Sequence, residues 1–152
     1  MWGSDGTKIQ TVDDVWVWVF SVTEHWNSEC MGWHVCKTGD RFAALEPVMQ
    51  AVKARYGALS KEVANLQQLA CWGIQSSFGL VRQPETNGVA ERFHRTLKDQ
   101  ILDGRAFRNV DEVREAVGQF VQIYNEQWLV AKRGHQSSLE ARRNHEKMWV
   151  VA

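Results

Sequence analysis

The run Val15 to Val22 (VWVWVFSV) constrains the fold more than any other stretch of the chain. Every position except Ser21 is β-branched or aromatic, and no polar side alternates with an apolar one. Such a run reads as a strand buried on both faces. It needs neighbours on each side, and the flanking sequence supplies them. Trp2 to Gln10 reads as a short strand, and Thr11 to Asp14 as a polar turn. Thr23 to Glu29 reads as a second turn and Cys30 to Cys36 (CMGWHVC) as a third strand. Strands joined by connections this short predict an antiparallel meander.

Helical periodicity follows. Thr38 or Asp40 can cap a helix whose apolar face is Phe42, Leu45, Met49, Val52 and Tyr56, with Gly57 as its stop. Leu59 to Cys71 has Leu59, Val63, Leu66 and Leu69 or Ala70 at helical spacing, and Ile74 to Leu80 reads as a strand. Pro84 to Gly88 forms a loop. Val89, Phe93, Leu97 and Ile101 then recur every four residues. Asp111 to Tyr124 carries Val113, Val117, Phe120, Val121 and Tyr124 on one side. Ser138 to His145 reads as a last helix capped by Ser137 or Ser138. With 152 residues and 44% hydrophobic content, the chain is expected to form a single α/β domain, one sheet flanked by helices, over residues 1–152.

The formal charge is zero, with 18 basic and 18 acidic residues, so the distribution carries more information than the total. Residues 1 to 30 hold Asp5, Asp13, Asp14, Glu24 and Glu29 against Lys8 alone, and the remainder is more basic. That pattern suits either an acidic metal-binding centre with basic flanks or ordinary surface charge. Cys30, Cys36 and Cys71 form no CxxC pair and read as reduced thiols. His25, Cys30, His34 and Cys36 match no common zinc spacing. No apolar stretch is long enough to span a membrane, and a cytoplasmic, nucleoid-associated protein is expected.

Chemistry concentrates in the helix after Pro84. Successive residues advance by about 100°, so Glu91 points away from the Val89–Phe93 stripe, with Arg95 and Lys98 on its own side. A carboxylate in the first turn with cations one and two turns later complements the helix dipole and allows an i,i+4 ion pair. Residue types alone leave that reading open beside a catalytic one.

The run Glu85-Thr-Asn-Gly-Val-Ala-Glu-Arg-Phe-His-Arg-Thr-Leu-Lys98 resembles the third catalytic motif of bacterial insertion-sequence transposases of the retroviral-integrase superfamily. There an Asn precedes a metal-binding Glu by four residues, and a basic helix follows. Trp2-Gly-Ser-Asp5-Gly-Thr7 resembles the first motif, a tryptophan three residues before a catalytic Asp. Glu24-His-Trp-Asn27 to Val35, and Tyr124-Asn125 with Ser137, Ser138 and Glu140-Ala141, are similar to later family segments, so the likeness spans nearly the whole chain. It implies a ribonuclease-H-like mixed sheet and a DDE-type polynucleotidyl transferase acting in DNA integration and transposition. It also implies Asp5 and Glu91 as catalytic, Mg²⁺- or Mn²⁺-binding carboxylates. Asn87, Arg92, Arg95 and Lys98 would contact DNA, as would Arg105 and Arg108. The expected partners are transposon ends and target DNA, with a second copy or an intact transposase.

One carboxylate of the family's three has no counterpart. Counting back from Glu91 by the family's spacing reaches Arg55 or Tyr56, inside a helix, and no Asp-X-Gly turn lies between Gly57 and Trp72. A central strand with its Asp is therefore expected to be deleted, leaving weak metal binding and a catalytically impaired remnant. The alternative is a non-catalytic DNA-binding or oligomerisation module. Glu62, Glu24, Asp13 and Asp14 are the acids that could substitute. Met1 abuts the first motif, so DNA recognition is expected from a separate upstream protein if it persists.

Overall fold

A computed structural model describes residues 1–57, 87–131 and 134–150, with side chains as far as residue 147. The helix read at Leu59 to Cys71, the strand read at Ile74 to Leu80, and the residues Glu62, Cys71 and Glu85 lie outside the described residues.

The meander is present. Strand β1 (Trp2–Thr11) pairs antiparallel with β2 (Val15–Glu24), from Trp2 opposite Glu24 to Thr11 opposite Val15. Strand β3 (Cys30–Cys36) pairs antiparallel with β2, from Trp18 opposite Cys36 to Thr23 opposite Cys30, with an irregularity at Val22/Thr23. The order is β1-β2-β3. β2 continues through Thr23 and Glu24, which the sequence reading assigned to a turn, because Gly3 and Trp2 still offer pairing partners there. Its middle is buried on both faces: Val17, Val19 and Ser21 to one side, Phe20 and Val22 to the other.

Different helices cover the two faces. Ile9, Val17, Val19 and Val35 form a core with residues of α2 (Gly88–Leu97) and α3 (Val110–Gln127). Phe93 sits at its centre, edge-on to Tyr124 with ring centroids 5.0 Å apart. On the opposite face α1 (Arg41–Tyr56) crosses β3 at Gly32, where its backbone at Pro47 comes close.

That approach corrects the expected face of α1. Phe42 is 46% and Tyr56 73% exposed, while Ala43, Pro47, Ala51 and Val52 are buried. Small side chains opposite a glycine let helix and strand backbones approach more closely than a row of large ones could. The cap is Asp40, whose carboxylate accepts from the backbone N–H of Phe42 and Ala43, both at 2.9 Å. Gly57 ends the helix at φ 86°.

The stripe of α2 also shifts. Ala90, Phe93, His94 and Leu97 are buried. A wide, π-type turn at Lys98–Leu102 follows and buries Leu102, while Ile101 is only partly buried. The chain then returns to the β1–β2 hairpin, where Phe107 forms a bridge with Thr11. Asn109 caps α3 by accepting from the backbone N–H of Asp111 and Glu112 at 3.1 and 3.2 Å. The inward residues of α3 are those its periodicity predicts.

The last helix, α4 (Ser138–Val150), runs past His145, with Ser137 Oγ accepting from Glu140 N at 3.2 Å. It is tied to the β2–β3 turn through buried polar groups. Asn27 Nδ2 donates to Glu29 Oε2 and to the Ser138 carbonyl, each at 3.0 Å, and Arg142 pairs with Glu29 at 3.0 Å. Asn125 of α3 grips Cys30 through both its backbone groups at 2.9 Å. Among the described residues no helix is long and apolar enough to cross a membrane.

Candidate active site

Asp5 occupies the middle of β1, directly across from Ser21 of β2. Its side chain is on the face that receives α2, together with Gly3 and Thr7. It is half-buried, and Oδ1 accepts from the Gly6 N–H at 2.8 Å. Gly3 leaves room for the start of α2 to lie close to β1. A Cβ there would lie 3.3 Å from the Ala90 methyl and 2.6 Å from His25 Nε2.

Two polar contacts seat α2 beside Asp5. At its start, Asn87 Nδ2 donates to the Ser4 carbonyl at 3.1 Å. Two turns on, His94 Nε2 lies 2.9 Å from Ser21 Oγ in a buried hydrogen bond. Ser4 precedes Asp5 and Ser21 is its cross-strand partner, so the two contacts bracket that residue. On the helix, Asn87 and His94 bracket Glu91 at i−4 and i+3, positions that share its side of the cylinder. Glu91 is exposed and rises from the turn between the two anchors.

The i,i+4 ion pair that spacing allows between Glu91 and Arg95 is not formed. Among the described residues none of Glu91, Arg92, Arg95 and Lys98 has an ion-pair partner, and all four are exposed. Arg105 lies 5.4 Å over the Phe107 ring, and Arg108 pairs with Asp13 at 3.4 Å.

His94 is 4% exposed, and burial lowers its pKa from the ordinary imidazole value. The Asp5 carboxylate and backbone pull the other way, and Lys98 adds to the lowering. A neutral ring follows. His94 and Ser21 were not among the residues the sequence singled out. The signal available was the i+3 spacing of His94 from Glu91, but the assumed stripe of every fourth residue left His94 outside the core.

The candidate substitute acids among the described residues lie at the two ends of the β1–β2 pair. Asp13 and Asp14 sit at the hairpin end of β1 and β2, and Glu24 at the opposite end. Asp14 accepts from Lys37 and from the Val110 N–H, both at 2.7 Å, and the Lys37 bond holds its carboxyl below the usual range. Glu24 accepts from Trp2 Nε1 at 2.8 Å and from the N-terminal ammonium. Arg55 and Tyr56, reached by the family's spacing, end α1, where Arg55 faces Glu146 and Tyr56 the Trp2 ring. Among the described residues no three His, Cys, Asp or Glu side chains converge as a metal cage. Cys30 is buried, and that burial pushes its thiol far above the range where a thiolate forms.

Residues 72–146 match the integrase core domain family. The likeness to that family covers just under half of the chain. The chain is also similar to the transposase for insertion sequence element IS629 of Shigella sonnei, at 24% identity over 151 residues. The alignment takes in 93% of the chain and 51% of that transposase, so the chain spans about half the length of the curated relative. The integrase-core match begins outside the described residues and continues through α2, α3 and most of α4.

Proposed function

We propose that the chain, residues 1–152, is one ribonuclease-H-like catalytic core of an insertion-sequence transposase. In this reading it binds transposon-end and target DNA, and Asp5 and Glu91 are two of its metal-binding carboxylates. Its strand-transfer activity is low. The observation that supports this best is the double anchoring of α2, Asn87 on Ser4 and His94 on Ser21, on either side of Glu91 and of Asp5.

The donor set suits a hard divalent cation. Carboxylate oxygens are what Mg²⁺ and Mn²⁺ prefer, Asp5 keeps part of its surface open, and Glu91 is exposed. Bound there, such ions would supply Lewis-acid activation of a phosphodiester. Asp5 would hold its side of the ion from a rigid strand and Glu91 from a helix fastened to that strand. Arg92, Arg95 and Lys98, exposed on the same helix, would take DNA phosphates and hold the backbone over the carboxylates. Asn87 serves the site from beneath by fixing the start of the helix.

Low activity follows from the count along the chain. The position that should carry a second Asp falls at the end of α1, so the proposal includes loss of a central strand with its carboxylate. Groups that act as a unit lose most of their activity when one is removed. Titrating Mn²⁺ into wild type and Glu91→Gln tests the site: binding weakened by the substitution is expected, and equal binding by both would refute the assignment. Vigorous Mg²⁺-dependent joining of donor ends by the purified chain would refute the impairment.

Arg92 and Arg95 of α2 and Lys98 just after it, without ion-pair partners among the described residues, also favour a second reading, a non-catalytic DNA-binding module that pairs with another copy or an intact transposase. DNA binding with a steep salt dependence and no response to metal would select it.

A further inference from the structure

The buried Ser21–His94 hydrogen bond does more than join β2 to α2. His94 Nε2 is 2.9 Å from Ser21 Oγ. The other ring nitrogen, Nδ1, is buried and makes no hydrogen bond of ordinary geometry. Asp5 is the cross-strand partner of Ser21, and its backbone and carboxylate both act on the ring.

A neutral imidazole carries one proton, and the surroundings decide which nitrogen holds it. With the proton on Nε2, the ring would donate to Ser21 and turn a bare lone pair towards Asp5, whose nearby groups are acceptors. With the proton on Nδ1, Ser21 O–H donates to Nε2 and the N–H is turned to Asp5. The second arrangement satisfies the serine and places a donor against acceptors.

We propose that His94 is a positioning residue for the candidate metal site. Held at Nε2 by the Ser21 hydroxyl, it presents Nδ1–H to Asp5 and sets that residue against Glu91, one helical turn away. Asp5 and Ser21 are cross-strand partners, so strand pair and helix turn are locked through a single ring. The inference rests on the reading of Asp5 and Glu91 as carboxylate ligands. Groups that hydrogen-bond to metal-ligating carboxylates typically change metal affinity about 10–100-fold when removed.

Two measurements on the full chain test this. Long-range ¹H–¹⁵N spectra of the His94 ring report the tautomer without any metal. The proton is expected on Nδ1, and a proton on Nε2 overturns the proposal. Mn²⁺ titration then compares wild type, His94→Leu, His94→Asn and the double variant Ser21→Ala/His94→Leu. His94→Leu is expected to bind Mn²⁺ at least about tenfold more weakly. His94→Asn, whose amide can offer a donor near the Nδ1 position, is expected to recover most of that loss. The double variant removes the stranded serine hydroxyl and should regain thermal stability, yet still bind weakly. Recovery of both stability and Mn²⁺ affinity in the double variant would mean that the pair only holds the fold, and would overturn the proposal. If Glu91→Gln binds Mn²⁺ as wild type does, the carboxylate reading itself fails and takes this inference with it. If Glu91→Gln weakens binding and His94→Leu does not, the positioning role alone fails.

Discussion

Gly32→Ala places one methyl group where α1 crosses β3. An ideal Cβ at this position lies 2.9 Å from the Pro47 carbonyl carbon and 3.1 Å from Gln50 Cβ, with the Pro47 oxygen nearer still. Carbon atoms pack best at about 3.5–4.0 Å, so the helix must withdraw by roughly 0.5–1 Å. The obstructing atoms at Pro47 are backbone, which cannot rotate aside. Withdrawal loosens Ala43, Pro47, Ala51 and Val52, the residues that seat α1 on the sheet. Overpacking of this kind costs about 1–3 kcal/mol, and the rigid obstacle places this case in the upper part of that range. For a chain of this size each kcal/mol moves Tm by about 2–4 °C, which gives an expected fall of roughly 5–10 °C. Far-ultraviolet circular dichroism during heating reads it directly. Gly88→Ala is the control, since a Cβ there meets nothing within 4 Å and alanine suits a helix better than glycine. A Gly32→Ala melt coincident with wild type, or no lower than Gly88→Ala, would refute the close approach.

Val15 opens β2 at φ 61°, exposed, a left-handed conformation that a β-branched residue adopts at a cost of about 1–2 kcal/mol. Val15→Gly relieves it and loses about 0.5–1 kcal/mol to chain entropy, so Tm should stay level or rise by up to a few degrees; a marked fall would show that the strain is absent. Glu29 has its pKa raised above 4.5 by burial, against the pull of Asn27 and Arg142. The native state then holds the proton more tightly than the unfolded one, and stability falls as pH rises from about 4.5 through the folded value. The Tm of Glu29→Gln relative to wild type should therefore climb across that window, and parallel pH profiles would contradict it. Asn87→Ala removes the donor to the Ser4 carbonyl at the exposed start of α2. A loss of about 0.5–1.5 kcal/mol is expected, with faster amide hydrogen exchange at Gly88 to Glu91; unchanged exchange would rule the anchor out.

Much of this architecture is legible from residue order because its causes are local. The unbroken β-branched and aromatic run at Val15 to Val22 can be satisfied only as a strand between two others, and the short turns on either side leave an antiparallel meander. Asp40 and Gly57 bound α1, and the spacing of Val113, Val117, Phe120, Val121 and Tyr124 sets the buried face of α3. Glu91 could be marked as exposed from helical angle alone. Which face of α1 turns inward could not be read, because large apolar residues normally win burial. Here the decision belongs to Gly32, a residue on another element that admits only small neighbours. The shift from Ile101 to Leu102 has a comparable origin in a wide turn that periodicity does not announce. The meeting of Ser21, cross-strand partner of Asp5, with His94, one turn after Glu91, is wholly tertiary. Their nearness depends on strand register and on a helix laid across it, and side chains so far apart in the chain acquire a common chemistry only when packing closes the distance.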